Sequence, residues 1–79
     1  LSRARVRLTF PEALVKEPVL GRLVKNFDVM PNIRRADVSE DVGWVVCELD
    51  GELSEIEAAL SWLGGLGVDV DLLEHPLEG

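Results

Sequence analysis

Residues Arg3 to Phe10 alternate without a break. Ala4, Val6, Leu8 and Phe10 take one parity, and Arg3, Arg5, Arg7 and Thr9 take the other. A period of two sustained over such a run belongs to a strand and not to a helix. Only one parity is apolar, so the strand needs a sheet with one covered and one open face. The chain must therefore supply flanking strands and a layer of helix over the apolar parity. Pro11, which cannot donate to a ladder, ends the strand.

The remainder meets that demand. Pro18 suits a first helical turn, and Leu20, Leu23, Val24 and Phe27 follow at helical spacing. Gly21 lies inside this helix and reads as a point of close packing on the sheet. The stretch FDVMPNIRRADV, residues 27–38, reads as a second strand entered through Pro31, with Ser39, Glu40 and Asp41 as turn residues. Gly43 to Asp50 form a third strand. Val45, Cys47 and Leu49 share one face, and Trp44, Val46 and Glu48 share the other. Ser54 and Glu57 have the spacing of a capping box, and Ile56, Ala59, Leu60 and Leu63 make the apolar stripe of a second helix. Gly64, Gly65 and Gly67 stop it. Val68, Val70 and Leu72 alternate in a last strand, and the tail EHPLEG reads as frayed.

The order is β-α-β-β-α-β in a single domain of 79 residues, with its core between about residues 4 and 73. It predicts an α+β, ferredoxin-like fold: a four-stranded antiparallel sheet of order 4-1-3-2 with two helices on one face. The second strand is then an edge, where Asn32, Pro31 and the charges of Arg34 and Arg35 are tolerated.

Composition narrows the function. Fifteen acids against eight bases give a net charge of −7, which disfavours nucleic acid as a partner. No run approaches the ~20 apolar residues of a membrane span. Arg3, Arg5 and Arg7 are followed by no apolar core of a signal peptide, so a cytoplasmic setting is expected. The chain opens at Leu1 rather than Met, as an excised piece would. One cysteine and one histidine supply no Cys–His or Ser–His–Asp set, so no enzyme, metal or cofactor is expected.

With the strands placed, three stretches bear a resemblance. Asn32-Ile33 opens the second strand. Gly43 leads a third strand that ends in Glu48, Leu49 and Gly51. Ala58, Ala59 and Leu63 in the helix are followed by Gly67, Val68 and Val70. In order and spacing these resemble the NIL domain, named for an Asn-Ile-Leu signature, over roughly residues 4–73. Arg34 stands where the signature has leucine. The resemblance implies an ACT-like version of the ferredoxin-like fold. It also implies a module that, in methionine-importer ATPases, pairs, binds methionine and inhibits transport. Elsewhere the family stands beside iron–sulfur ferredoxin modules linked to sulfur metabolism. The expected function is regulatory sensing of an amino acid, methionine or a related sulfur amino acid. The alternative is a structural pairing module for a ferredoxin or transporter partner.

Asn32, Ile33 and Arg34 are the candidate ligand residues. The Asn32 amide offers a donor and an acceptor to a zwitterion, or bonds local backbone after Pro31. Ile33 would supply an apolar wall. Arg34 shares parity with Ala36 and Val38. It either snorkels at the sheet margin, or a bulge shifts the phase, or it pairs with a ligand carboxylate. Trp44, Val46, Ile33 and Arg35 are the candidate interface for a homodimer, with Trp44, Val46 and Ile33 read as one open-face patch. Arg5 and Arg7 read as a charge ladder with Glu48, Asp69 and Asp71. Cys47 reads as a core residue, and His75 as a tail residue without a ligand role.

Overall fold

The structure, a computed structural model, describes residues 1–78, and of 75–78 the backbone only. β1 (Ser2–Phe10) carries the alternation that opens the sequence. It is followed by α1 (Glu12–Val15), α2 (Val19–Asn26), β2 (Val29–Val38), β3 (Gly43–Gly51), α3 (Leu53–Leu66) and β4 (Asp69–Glu78). The sheet order is β2-β3-β1-β4 and every pairing is antiparallel, as the six-element order predicts.

Ala4, Val6 and Leu8 are fully buried, and the helices sit over them. α2 contributes Val19 and Leu23, and α3 contributes Ile56, Ala59 and Leu63, to one cluster with Val45, Cys47 and Leu49 of β3. Each such aliphatic side chain contributes roughly 1.5–3 kcal/mol on burial. Gly67 ends α3 at a φ of 103°, a left-handed conformation that favours glycine. The Val68 N–H then donates to the Leu63 carbonyl at 3.1 Å.

Several local expectations give way. α1 is an additional short turn of helix before α2. Val24 stays exposed, and Phe27 leaves the helix in an extended conformation. The Phe27 ring instead meets Trp62 at 5.6 Å between centroids. The capping box does not form, because α3 starts at Leu53 with Glu52 at its cap. Glu55, in the first turn, accepts the Asp28 N–H at 2.8 Å, a tertiary bond that ties the lead-in of β2 to α3. The tail is not frayed: β4 runs to Glu78 and pairs Leu77 with Arg3 and Glu78 with Ser2. The His75 side chain lies outside the described residues.

Gly21 does not pack on the sheet, since a Cβ there would meet nothing within 4 Å. At Gly51 a Cβ would lie 2.7 Å from the Asp28 carbonyl oxygen. The two glycines should answer alanine with opposite signs. Gly21→Ala is expected to stabilise the fold by about 0.5–1 kcal/mol through helix propensity. Gly51→Ala is expected to destabilise it by about 1–3 kcal/mol through overpacking. Urea titration of both variants measures the difference.

Candidate functional site

β2 is an outer strand, and its two halves are out of phase. Asn32 pairs with Glu48 and Ile33 with Cys47, but Arg35 pairs with Val46, so the register shifts around Arg34. A bulge of this kind leaves one residue without an opposite number. Val29, Pro31 and Ile33 stand level with Gly51, Leu49 and Cys47, on the helix-covered face. Beyond the bulge Ala36 and Val38 return to that face, while Arg35 and Asp37 take the open one.

The bulge resolves the odd parity of Arg34 and corrects the placement of Ile33. Simple alternation puts Ile33 on the open face beside Trp44; the shift puts it on the helix side, where it is 55% exposed. Asn32 goes to the open face, level with Glu48. Both Asn32 and Arg34 are exposed, and among the described residues Arg34 has no ion-pair partner. Ala36 and Val38 are exposed too, as residues of an edge strand. Ile33 and Val38 of the edge and Val24 of α2 are exposed apolar side chains.

The open face is not the apolar patch that alternation suggests. Val46 is buried, and Trp44 is half-buried beneath two guanidiniums. Arg7 of β1 lies 5.4 Å from the Trp44 ring centroid and Arg35 of β2 lies 5.9 Å from it. Such cation–π contacts let flanking arginines cover an aromatic ring while their polar atoms stay wet. Arg5 bonds Glu48 at 3.0 Å and Glu74 at 3.4 Å. Arg3 grips Asp50 through two hydrogen bonds of 2.6 and 3.1 Å. The charge ladder is real, but its acids are Glu48, Asp50 and Glu74, and among the described residues neither Asp69 nor Asp71 makes an ion pair.

A cavity of about 210 Å³ opens between the start of α2 and the far ends of β1, β2 and β3. Its wall is apolar, built from Phe10, Leu14, Leu20, Val38 and Val45, with Glu17 as its one ionisable residue. Glu17 also meets Arg22 at 3.3 Å. Gly21 also lies in the cavity wall. A second hollow of about 270 Å³, at the other end of β2, is bounded by Asp28, Met30, Asp50 and Glu52. Neither is lined by Asn32, Ile33 or Arg34. Alternation signals core residues but not spaces between elements, so the sequence held no direct sign of the cavity.

Cys47 is buried, and loss of solvation pushes its thiol up to about 11, which keeps it protonated and unreactive. Among the described residues, no three His, Cys, Asp or Glu side chains stand close enough to hold a metal ion. Among them, no helix is long and apolar enough to cross a membrane.

The Arg3 pair gives a test of the open face. The hydrogen bond and charge of Arg3 hold the Asp50 carboxyl below the usual carboxylate range. A depressed folded-state value contributes stability above the unfolded value, and that contribution disappears as pH falls through the folded one. NMR titration should place the Asp50 midpoint below the ordinary aspartate value, and Arg3→Met should raise it. A midpoint that does not move would show that the pair is not formed in solution.

Comparison with known proteins adds a family. The model of the NIL domain matches residues 4–71. The methionine import ATP-binding protein MetN of Helicobacter pylori (strain J99) is 29% identical over 72 residues, 86% of this chain and 22% of that protein. MetN 3 of Shouchella clausii is 31% identical over 74 residues, 89% of this chain and 22% of that one. The chain thus spans about a fifth of the length of these relatives. Among solved structures, the C-terminal domain of an ABC transporter ATP-binding protein from Enterococcus faecalis superimposes with a TM-score of 0.79. The match covers 91% of this chain and 84% of that one, at 25% identity.

Proposed function

The chain belongs to the NIL domain family, and on that premise we propose that it is a regulatory module that senses a small apolar amino acid. Methionine or a related sulfur amino acid is the expected ligand, and a cytoplasmic transporter ATPase the expected client. The observation that carries this reading is the match of most of the chain to methionine import ATP-binding proteins. The cavity supports it. At about 210 Å³ it falls below the roughly 300–1,000 Å³ of drug-sized sites and suits one apolar side chain. Its wall offers a thioether only apolar contacts.

The module would act as a pair. A free strand edge that carries exposed Ile33 and Val38, with exposed Val24 on α2, suits a second copy. It does so better than an open face whose tryptophan is already covered by arginines. Antiparallel pairing of two β2 edges about the bulge would bring Asn32 of one copy toward Val38 of the other, at the cavity mouth. In that arrangement Asn32 and Ile33 meet a ligand that neither reaches within one chain. Trp44, Val46 and Arg35 would then support the sheet rather than form the contact.

Calorimetry with methionine, homocysteine and cysteine tests the sensing. Binding by the intact chain is expected, with a loss of about 5- to 150-fold in Asn32→Ala from roughly 1–3 kcal/mol of hydrogen bonding. No binding of any amino acid at millimolar concentration would leave a purely structural pairing module. Sedimentation tests the pair separately: the intact chain should run as a dimer and Ile33→Asp as a monomer.

A further inference from the structure

The cavity can hold an apolar side chain, but it cannot by itself hold an amino acid. A zwitterion brings a carboxylate as well as an ammonium, and the only ionisable group in the cavity wall is an acid, Glu17. Glu17 suits an ammonium and would repel a carboxylate. A cation must therefore come from beside the cavity. Arg22 already faces Glu17 at 3.3 Å. Arg34 is differently placed. It sits at the bulge of β2, is exposed, and among the described residues pairs with no carboxylate.

Its position fits the need. Arg34 lies two residues along β2 from Ala36, whose opposite number Val45 is part of the cavity wall. Two steps of about 3.3 Å along the strand and one of about 4.8 Å across it put the Arg34 and Val45 backbones roughly 8 Å apart, comparable to the reach of an extended arginine side chain beside the cavity. The bulge frees Arg34 from the alternation that would otherwise commit it to one face of the sheet. Arg35, its neighbour, is held against Trp44 at 5.9 Å and is committed to the open face.

We infer that Arg34 is the carboxylate anchor of the amino-acid site, a specificity-determining residue that lets this chain read the charged end of a ligand whose side chain lies in the cavity. The inference rests on the sensing function proposed above. A guanidinium takes a carboxylate through two parallel hydrogen bonds, which an aliphatic residue cannot do. The site would accordingly discriminate sharply between an amino acid and the same molecule without its carboxylate.

Calorimetry with L-methionine and with L-methioninol, which keeps the side chain and ammonium but has no carboxylate, separates the possibilities. The proteins are the intact chain, Arg34→Leu and Arg34→Lys, with circular dichroism to confirm that the exposed substitutions leave the fold intact. The expected result is tight preference for methionine in the intact chain. Arg34→Leu should lose on the order of tenfold to a hundredfold in methionine affinity and almost nothing for methioninol. Arg34→Lys should recover part of the loss. If Arg34→Leu binds methionine as well as the intact chain, or better, the anchor is overturned while the sensor stands. If the intact chain binds no methionine at millimolar concentration, sensor and anchor fall together.

Discussion

β1 is the constraint on which the fold depends. It lies between β3 and β4, so its backbone is paired on both sides, and its apolar parity is sealed beneath the helices. Ala4, Val6 and Leu8 are wholly buried while Arg3 and Arg7 of the same strand remain exposed. A one-residue slip would send the arginines into the core and the aliphatics into water, which fixes the register of both neighbours. Every other element is placed relative to this strand.

The β2 edge is the counterpart of that rigidity. A chain of 79 residues buries only about 60% of its unfolded surface, and its helices cannot cover a whole sheet. β2, the outer strand, keeps register with β3 on both sides of one shift, from Val29 to Ile33 and from Arg35 to Val38. Between them the strand accommodates one residue too many, and the excess collects at Arg34. The looseness of the edge and its functional promise have the same origin, since a strand fully committed to the core would have no side chains to offer a ligand or a partner.

Much of this was legible in the sequence, and the limits are physical. Strict alternation in β1 and β3 and the stripe of Ile56, Ala59 and Leu63 name the core, because burial imposes period on sequence. The element order then gives the sheet order without coordinates. What failed was local. A capping box is a short-range signal, and the helix starts earlier than it says, at Leu53, so Glu52 and not Ser54 takes the cap position. The tail has no apolar period of its own and owes its strand to an unpaired edge of β1. Ile33 was assigned to the wrong face because parity cannot be counted through a bulge, although Arg34 on an apolar parity was the sign that one was present. The candidate residues Asn32, Ile33 and Arg34 do mark an exposed stretch of the edge, but the cavity beside it arises from the meeting of α1, α2 and three strand ends.

These features bear on how so small a module could regulate a larger machine. Its core is closed, and its open face is occupied by its own ion pairs and by the arginines over Trp44. The α2–β2 margin is different. It combines an apolar cavity, exposed apolar side chains on a free edge and an arginine that pairs with no carboxylate among the described residues. A ligand bound there would bury apolar surface and satisfy a charge at the margin where a second copy would pack. Its differential affinity for paired and unpaired forms would then be an equilibrium bias, and a bias of that kind is all that regulation requires. The size of the bias is set by how much of the ligand's contact surface the second copy supplies, which makes the incompleteness of the site in one chain the basis of the coupling.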